Sequence, residues 1–179
     1  PRSENGVIVT ESGQTTDAVE SSWHDSQIEM VNGHLEFNTW GYANPNPTTT
    51  NKLPLNQWYY VGLSQSSTQL SAFVFDSSGS PVALNDATVP KSRSVPDANH
   101  QGLTYAIGHK DFTNLGGPGY GGFGNFRLGA FHVYNKALSS AEVSRNYQAT
   151  CARFHQDSNN CTGQTLSASW TPSNYTITF

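Results

Sequence analysis

Short runs of β-branched and aromatic residues recur along this chain, with turn residues between them. The runs are GVIVTE, QIEMVNGHLEFNTW, WYYVGLS, LSAFVFDSSGSPVAL, LTYAIGH and FRLGAFHVYN. Runs of this length and composition favour strands. Asn32-Gly33 predicts a tight hairpin, because both residue types accept a positive φ, and DSSGSP predicts a second turn. Regular short strands with such punctuation predict an all-β fold with two antiparallel sheets packed as a sandwich.

One segment, LSSAEVSRNY, has the pattern of a helix instead. Ser139 stands three residues before Glu142, the spacing of a capping box. Three apolar residues can share its inward face: Leu138, Val143 and Tyr147. We expect the chain from Thr150 to Ser173 to be irregular.

Charge and hydropathy argue against several partners. Charged residues make up 12 % of the 179 residues, against about 25 % in an average domain, and the net charge is −4. No Lys/Arg cluster is present, so we expect no nucleic-acid partner. No apolar run approaches the ~20 residues that span a bilayer, so we expect no membrane partner. The stretch carries no signal peptide, so any export signal would lie outside it. A polar, weakly charged surface suits contact with neutral polymers or with other copies of the chain.

The two cysteines, Cys151 and Cys161, bracket the polar stretch CARFHQDSNNC. A short polar loop between a cysteine pair favours a disulfide, which implies an oxidising compartment. The alternative is two free thiols in a cytosolic protein. Two ligands without a second pair nearby make a poor zinc site.

The stretch FGNFRLGAFHVYNKALSSAEVSRNY resembles the laminin-G-like, concanavalin A-like jelly-roll family, in which a glycine-led strand precedes a short helix. The matching residues are Gly129, Phe131, Val133, Tyr134, Asn135, Ala137, Leu138, Ser139 and Glu142. The stretch around Trp58 and Gly79 resembles the Trp-bearing strand and hairpin of the family, and AIGH resembles its short strand before a glycine loop. The resemblance covers roughly Gly6 to Tyr147 and implies a jelly-roll sandwich. We therefore expect a sandwich core over residues 1–149. Residues 150–179 would form a cysteine-bridged loop and a terminal strand that belongs to this sandwich or the next.

The ends of the chain resemble two halves of one family motif. Family domains commonly begin with a strand similar to Tyr-Thr-Ile-x-Phe, followed by a turn and a strand similar to GVIVTE. Here Tyr175, Ile177 and Phe179 alternate with threonines at the end of the stretch, while Pro-Arg-Ser stands at its start. Three arrangements fit: a circular permutant, one period of a longer array, or a strand that completes a neighbouring subunit.

The sequence predicts no catalytic residue. Some family relatives are glycosidases that carry a Glu-x-Asp-x-x-Glu motif, which this chain lacks. Asp25 and Glu29 are spaced i, i+4, and Glu36 lies across the predicted hairpin, but solvated carboxylates on the polar face of a sheet explain them. No His-Glu-x-x-His or Gly-x-Ser-x-Gly motif is present. A Ser-His-Asp triad stays open, because its members meet only in space.

Binding sites in loops are the better functional candidates. Four aromatic residues in or beside the loops where this family often binds ligands are candidates for stacking on sugars: Trp23, Tyr42, Phe112 and Tyr120. Asp111 and Asn114 would supply oxygen ligands to a calcium ion, as in some family members. Asn160 and Asn174 begin N-glycosylation triplets, but a chain rich in Asn, Ser and Thr contains such triplets by chance.

These observations predict a non-enzymatic extracellular structural protein. It would be a subunit or repeat of a fibre or surface assembly, with copies of itself as partners. The alternative is a carbohydrate-binding, lectin-like module of a larger secreted glycoprotein, and a glycosidase ranks third.

Overall fold

The computed structural model describes residues 1–12, 24–38, 46–90, 104–108 and 124–154. Within these ranges strands dominate and form two antiparallel sheets, accompanied by one helix. This confirms the all-β prediction at that level. The strands are β1 (Gly6–Ser12), β2 (His24–Val31), β3 (His34–Phe37), β4 (Thr48–Thr49), β5 (Tyr60–Gln65), β6 (Gln69–Phe75), β7 (Leu84–Asn85), β8 (Thr88–Pro90) and β9 (Thr104–Ile107), and the helix is α1 (Ser140–Phe154).

The larger sheet has six strands in the order β7-β4-β3-β2-β1-β9. Its centre is the hairpin of β2 and β3, in which Met30 pairs with Leu35. Asn32 and Gly33 form the turn with φ values of 51° and 85°, the positive values that a two-residue hairpin turn requires. The predicted Asn-Gly hairpin is therefore confirmed.

The smaller sheet has three strands in the order β5-β6-β8. After β6 the chain reverses through the predicted DSSGSP turn, and Phe75 pairs with Pro81. The Asp76 carboxylate accepts hydrogen bonds from the backbone N–H groups of Ser78 and Ser80 at 2.8 and 3.0 Å. This side chain thus satisfies the turn's backbone donors, which explains why Asp is favoured there.

Both sheets contribute to one hydrophobic cluster. The larger sheet supplies Met30, Leu35 and Phe37, and the smaller sheet supplies Ala72 and Val74. All five are at least 97 % buried. The strand period of two places these residues on one face of each sheet, so the alternation in the sequence determines where the core lies.

Helix α1 begins at the predicted capping box. The Ser139 hydroxyl accepts from the backbone N–H of Glu142 at 3.3 Å, and the Glu142 carboxylate accepts from the Ser139 N–H at 2.8 Å. The helix then continues to Phe154, so the expectation of irregular chain from Thr150 onward is wrong for its first residues. Cys151 continues the buried series of Val143 and Tyr147 at four-residue spacing, which extends the helical face beyond the predicted end.

Helix α1 packs on the face of the smaller sheet that points away from the hydrophobic cluster. Gly62 of β5 leaves room for Val143, whose Cγ1 would lie 3.4 Å from a Cβ built at that glycine. The Tyr147 ring stacks on Phe75 at a centroid distance of 5.2 Å and meets Tyr60 edge-on at 5.7 Å. These contacts hold the helix against both β5 and β6.

The run FRLGAFHVYN differs from its prediction as a strand. Residues 126–135 form no ladder with any strand in the described part of the chain. This segment borders the cavity described next.

Candidate functional site

An open cavity of about 800 Å³ lies beside β5. Every residue of β5 borders it on one side, and every residue from Phe126 to Leu138 borders it on the other. We call this cavity the β5 cleft. Because neighbouring residues of a strand point to opposite faces, contact with all six residues means that the cleft follows the edge of β5 rather than one of its faces.

The cleft connects two environments. On the side of the hydrophobic cluster its lining includes Ile8, Ile28 and Met30, and on the side of the helix it includes Val143 and Tyr147. The cleft thus reaches from the space between the sheets, past the edge of β5, to the space beneath α1.

Large apolar side chains are exposed around the cleft. Among the described residues, six of them are at least 39 % exposed: Trp58, Ile107, Leu128, Phe131, Val133 and Tyr134. All six border the β5 cleft. Single exposed apolar side chains are ordinary, whereas several of them around one cleft make that cleft a candidate binding surface.

The free-energy cost of an empty cavity of this size also indicates that the cleft does not stay empty. Natural interiors contain few voids larger than a water molecule, and each Å³ of empty apolar cavity costs about 24 cal/mol. As a closed dry void, the cleft would cost on the order of 20 kcal/mol, more than the 5–15 kcal/mol that stabilises a typical domain. The cleft is therefore a place where solvent or another segment must enter.

Hydrogen bonds anchor the segment 126–138 at both of its ends. At one end, the backbone N–H of Arg2 donates to the carbonyl of Asn125 at 2.7 Å. At the other end, the Ser64 hydroxyl donates to the carbonyl of Leu138 at 2.8 Å. Between these points, within the described residues, β5 has a ladder with β6 only. The edge of β5 and the segment 126–138 thus face each other across the cleft.

The cleft is weakly charged. Among the described residues of its lining, the charged groups are Asp76, Arg127, Lys136 and the N-terminal amine of Pro1. Burial raises the pKa of the Tyr60 phenol above its ordinary value, and the neighbouring Tyr134 raises it further. Burial opposes ionisation of Asp76 too, but hydrogen bonds from Ser78 and Ser80 outweigh it and lower the pKa of that carboxyl. A lining of neutral phenols and apolar groups suits an uncharged partner.

The carboxylates singled out in the sequence lie elsewhere. Glu29 and Glu36 are direct cross-strand partners on β2 and β3, on the opposite side of the strands from Met30 and Leu35. Glu29 is only 4 % exposed, so the explanation of it as a solvated carboxylate is wrong. Glu36 is half-buried and accepts a hydrogen bond from the Asn46 side chain at 2.9 Å.

The i, i+4 spacing of Asp25 and Glu29 is interrupted in the structure. The register of β1 against β2 shifts between their positions, so the spacing alone does not place both carboxylates on one face. The Asp25 side chain lies outside the described side chains.

Most of the predicted site residues lie outside the described residues. They are the aromatic residues Trp23, Tyr42, Phe112 and Tyr120, the calcium candidates Asp111 and Asn114, the sequon residues Asn160 and Asn174, Cys161, and the terminal Tyr175, Ile177 and Phe179. Cys151 is described: it is 2 % exposed, and its Sγ lies 3.4 Å from the Tyr147 hydroxyl. The sugar, calcium, glycosylation and disulfide assignments stay predictions.

Two further features bear on function. In the described ranges, no three His, Cys, Asp or Glu side chains are grouped so that they could hold a metal ion. No helix there has the length and apolar character needed to cross a membrane.

The sequence contained a signal for the second wall of the cleft. In FRLGAFHVYN, apolar residues occupy both alternating sets, with Phe126 and Leu128 in one and Phe131 and Val133 in the other. A strand with one solvated face would alternate. This pattern therefore indicated a segment with apolar neighbours on both sides. It did not reveal that an open cleft would lie along one of those sides.

Comparison of the chain with protein-family models, with curated proteins and with solved structures gives no match.

Proposed function

We propose that this protein is a non-enzymatic structural unit of an extracellular or surface assembly, and that it associates with copies of itself through the β5 cleft. The observation that carries the proposal is the location of all six exposed large apolar side chains of the described residues around one cleft. Burying such a surface against another chain is the ordinary source of association energy.

The composition supports association between copies. Only 12 % of residues are charged, so copies approach one another with little electrostatic repulsion. Natural sheets normally protect a strand edge with charges, proline or a covering element, whereas β5 is the uncharged run YVGLSQ. An edge of this kind is suited to pairing with another strand.

The two sheets and the helix are compatible with the finer assignment, a laminin-G-like jelly roll. We propose it from the order of features along the chain. Trp58 lies just before β5, the hairpin around Gly79 follows β6, and the capping box at Ser139 follows YNKAL. Family resemblance would place the protein outside the cell, where a bond between Cys151 and Cys161 would persist.

The first test changes one exposed side chain of the cleft. Val133 is 67 % exposed, so Val133→Asp leaves the hydrophobic cluster intact while it places a charge on the proposed contact. We expect the particle mass measured by light scattering to fall to the 19.5 kDa of a single chain.

The matched control is Ala83→Asp, which adds the same charge at an exposed position outside the cleft lining. It should leave the particle mass unchanged. A native chain that is monomeric at all concentrations, or a Val133→Asp variant that assembles like the native chain, would contradict the proposal.

A carbohydrate-binding module would behave differently. It would be a monomer that gives a signal on a glycan array, and that signal would depend on Trp23, Tyr42, Phe112 or Tyr120. Steady turnover of a polysaccharide, abolished by Asp25→Asn or Glu29→Gln, would overturn the non-enzymatic part of the proposal.

A further inference from the structure

We infer that the β5 cleft is a position for one further β-strand, and that the strand Tyr175–Phe179 of a second copy fills it. This inference rests on the proposed function, since it names the segment through which the copies associate.

The walls of the cleft have the form that a strand requires. A strand inserted into a sheet pairs with a neighbour on each side, about 4.8 Å away. Here one wall is the edge of β5, and the other is the segment 126–138, which has no ladder with the described strands. Both walls present consecutive residues to the cleft. Among the described strands β5 has a ladder with β6 only, so its other edge offers backbone donors and acceptors to a further strand.

The length of the segment matches the length of the wall. Five residues of extended chain span about 16 Å, and the six residues of β5 span about 20 Å. Tyr175–Phe179 therefore fits within the edge of β5 without extending past it.

The side-chain pattern of the segment matches the two sides of the cleft. Tyr175, Ile177 and Phe179 alternate with Thr176 and Thr178, so one face of the strand is apolar and the other carries hydroxyl groups. The cluster side of the cleft is apolar, with Ile8, Ile28 and Met30 in its lining.

The helix side of the cleft is more polar. Its lining includes the hydroxyl groups of Ser64, Thr150 and Tyr147. We place the apolar face of the strand toward the cluster and the threonines toward the helix. The segment carries no charge, so its entry leaves no ion buried without a partner.

The exposure of the cleft in one chain favours a second copy as the donor. In the single chain Leu128 is 50 % exposed and Val133 is 67 % exposed, and a strand from a neighbouring copy would cover them. Addition of a strand to a sheet edge is a common mode of recognition. Because donor strand and cleft are different surfaces, the contact is heterologous, and repeated contacts form a ring or a filament.

The test combines two defective variants of the full chain. Ile177→Asp damages the donor strand and leaves the cleft intact, whereas Val133→Asp damages the cleft and leaves the donor intact. Each variant alone should have the mass of one chain. Mixed together, they should form a one-to-one dimer of twice the 19.5 kDa of the chain and no larger species, because only one donor strand and one cleft remain functional.

The matched control for the donor is Thr178→Asp alone. It places the same charge on the hydroxyl face, where the cleft is more polar, so it should weaken self-assembly less than Ile177→Asp does. A mixture of Ile177→Asp and Val133→Asp that stays monomeric, or an Ile177→Asp variant that assembles alone, would overturn the inference.

A second measurement does not depend on the folding of a damaged variant. Phe179 is replaced by the photo-cross-linking residue benzoylphenylalanine in a mixture of light and ¹⁵N-labelled native-length chains. Cross-links from position 179 to residues 57–67 or 126–138 that join a light chain to a heavy chain are the expected result.

The other outcomes separate the two proposals. Cross-links to the cleft within one chain only, with a particle mass of one chain, would mean that the chain fills its own cleft, and both proposals would fail. Assemblies whose cross-links lie away from the cleft would overturn this inference while self-association stood.

Discussion

The reciprocal hydrogen bonds of Ser139 and Glu142 show how a few side chains determine the start of α1. The Glu142 carboxylate also pairs with the Lys136 ammonium. These contacts stabilise the ionised form and lower the pKa of Glu142 from 4.5 to about 2, with Lys136 as the largest cause.

This pKa shift predicts a pH dependence of folding. A carboxyl group with a lower pKa in the folded state adds stability that is fully present above about pH 4.5 and is lost as the pH falls through about 2. In Glu142→Gln this contribution is absent. We therefore expect the fall in the free energy of unfolding between pH 6 and pH 2, measured by urea denaturation, to be smaller in Glu142→Gln than in the native protein.

The matched control is Ala141→Gln, which places the same side chain one residue earlier and keeps Glu142. It should show the native pH dependence. Equal pH dependence in Glu142→Gln and the native protein would mean that the capping contacts do not persist in solution.

At the scale of single elements, the hairpin after β6 packs against α1 through Gly79. Its φ is +83°, and a Cβ built there would lie 3.1 Å from Cε1 of Tyr147. Gly79→Ala therefore combines a left-handed backbone with a close contact, and we expect it to lower the free energy of unfolding by about 1–2 kcal/mol.

Gly62→Ala is the comparison for this effect, because its new Cβ would meet Val143 at 3.4 Å, an ordinary contact. Gly62→Ala should lower the free energy of unfolding by less than Gly79→Ala does in the same denaturation experiment. If Gly79→Ala were neutral, the hairpin would not lie against Tyr147.

The elements differ in how far the sequence predicted them. Turn chemistry is local, so Asn32-Gly33 and the Ser139 capping box could be recognised without tertiary information. The end of α1 was missed because Cys151 was interpreted as part of a loop, although it continues the buried face of Val143 and Tyr147. The apolar pattern of residues 126–135 was interpreted as a strand, but a ladder requires a neighbour at the right distance, and that depends on how distant segments assemble.

At the scale of the whole molecule, two antiparallel sheets were predictable because the apolar residues alternate along most strands. The β5 cleft was not, since it results from the placement of 126–138 relative to β5, which no local pattern specifies. Its weakly charged, largely apolar lining connects the fold to the proposed function. The exposed large apolar side chains of the described residues all border this cleft, and such a surface is suited to association with further copies.

Electron microscopy of the native material tests this central claim most directly. The account predicts particles built from repeated copies, as filaments or closed rings, in which the β5 cleft of one copy contacts its neighbour. A population of isolated single chains, or repeated copies in which every cleft faces solvent, would contradict it.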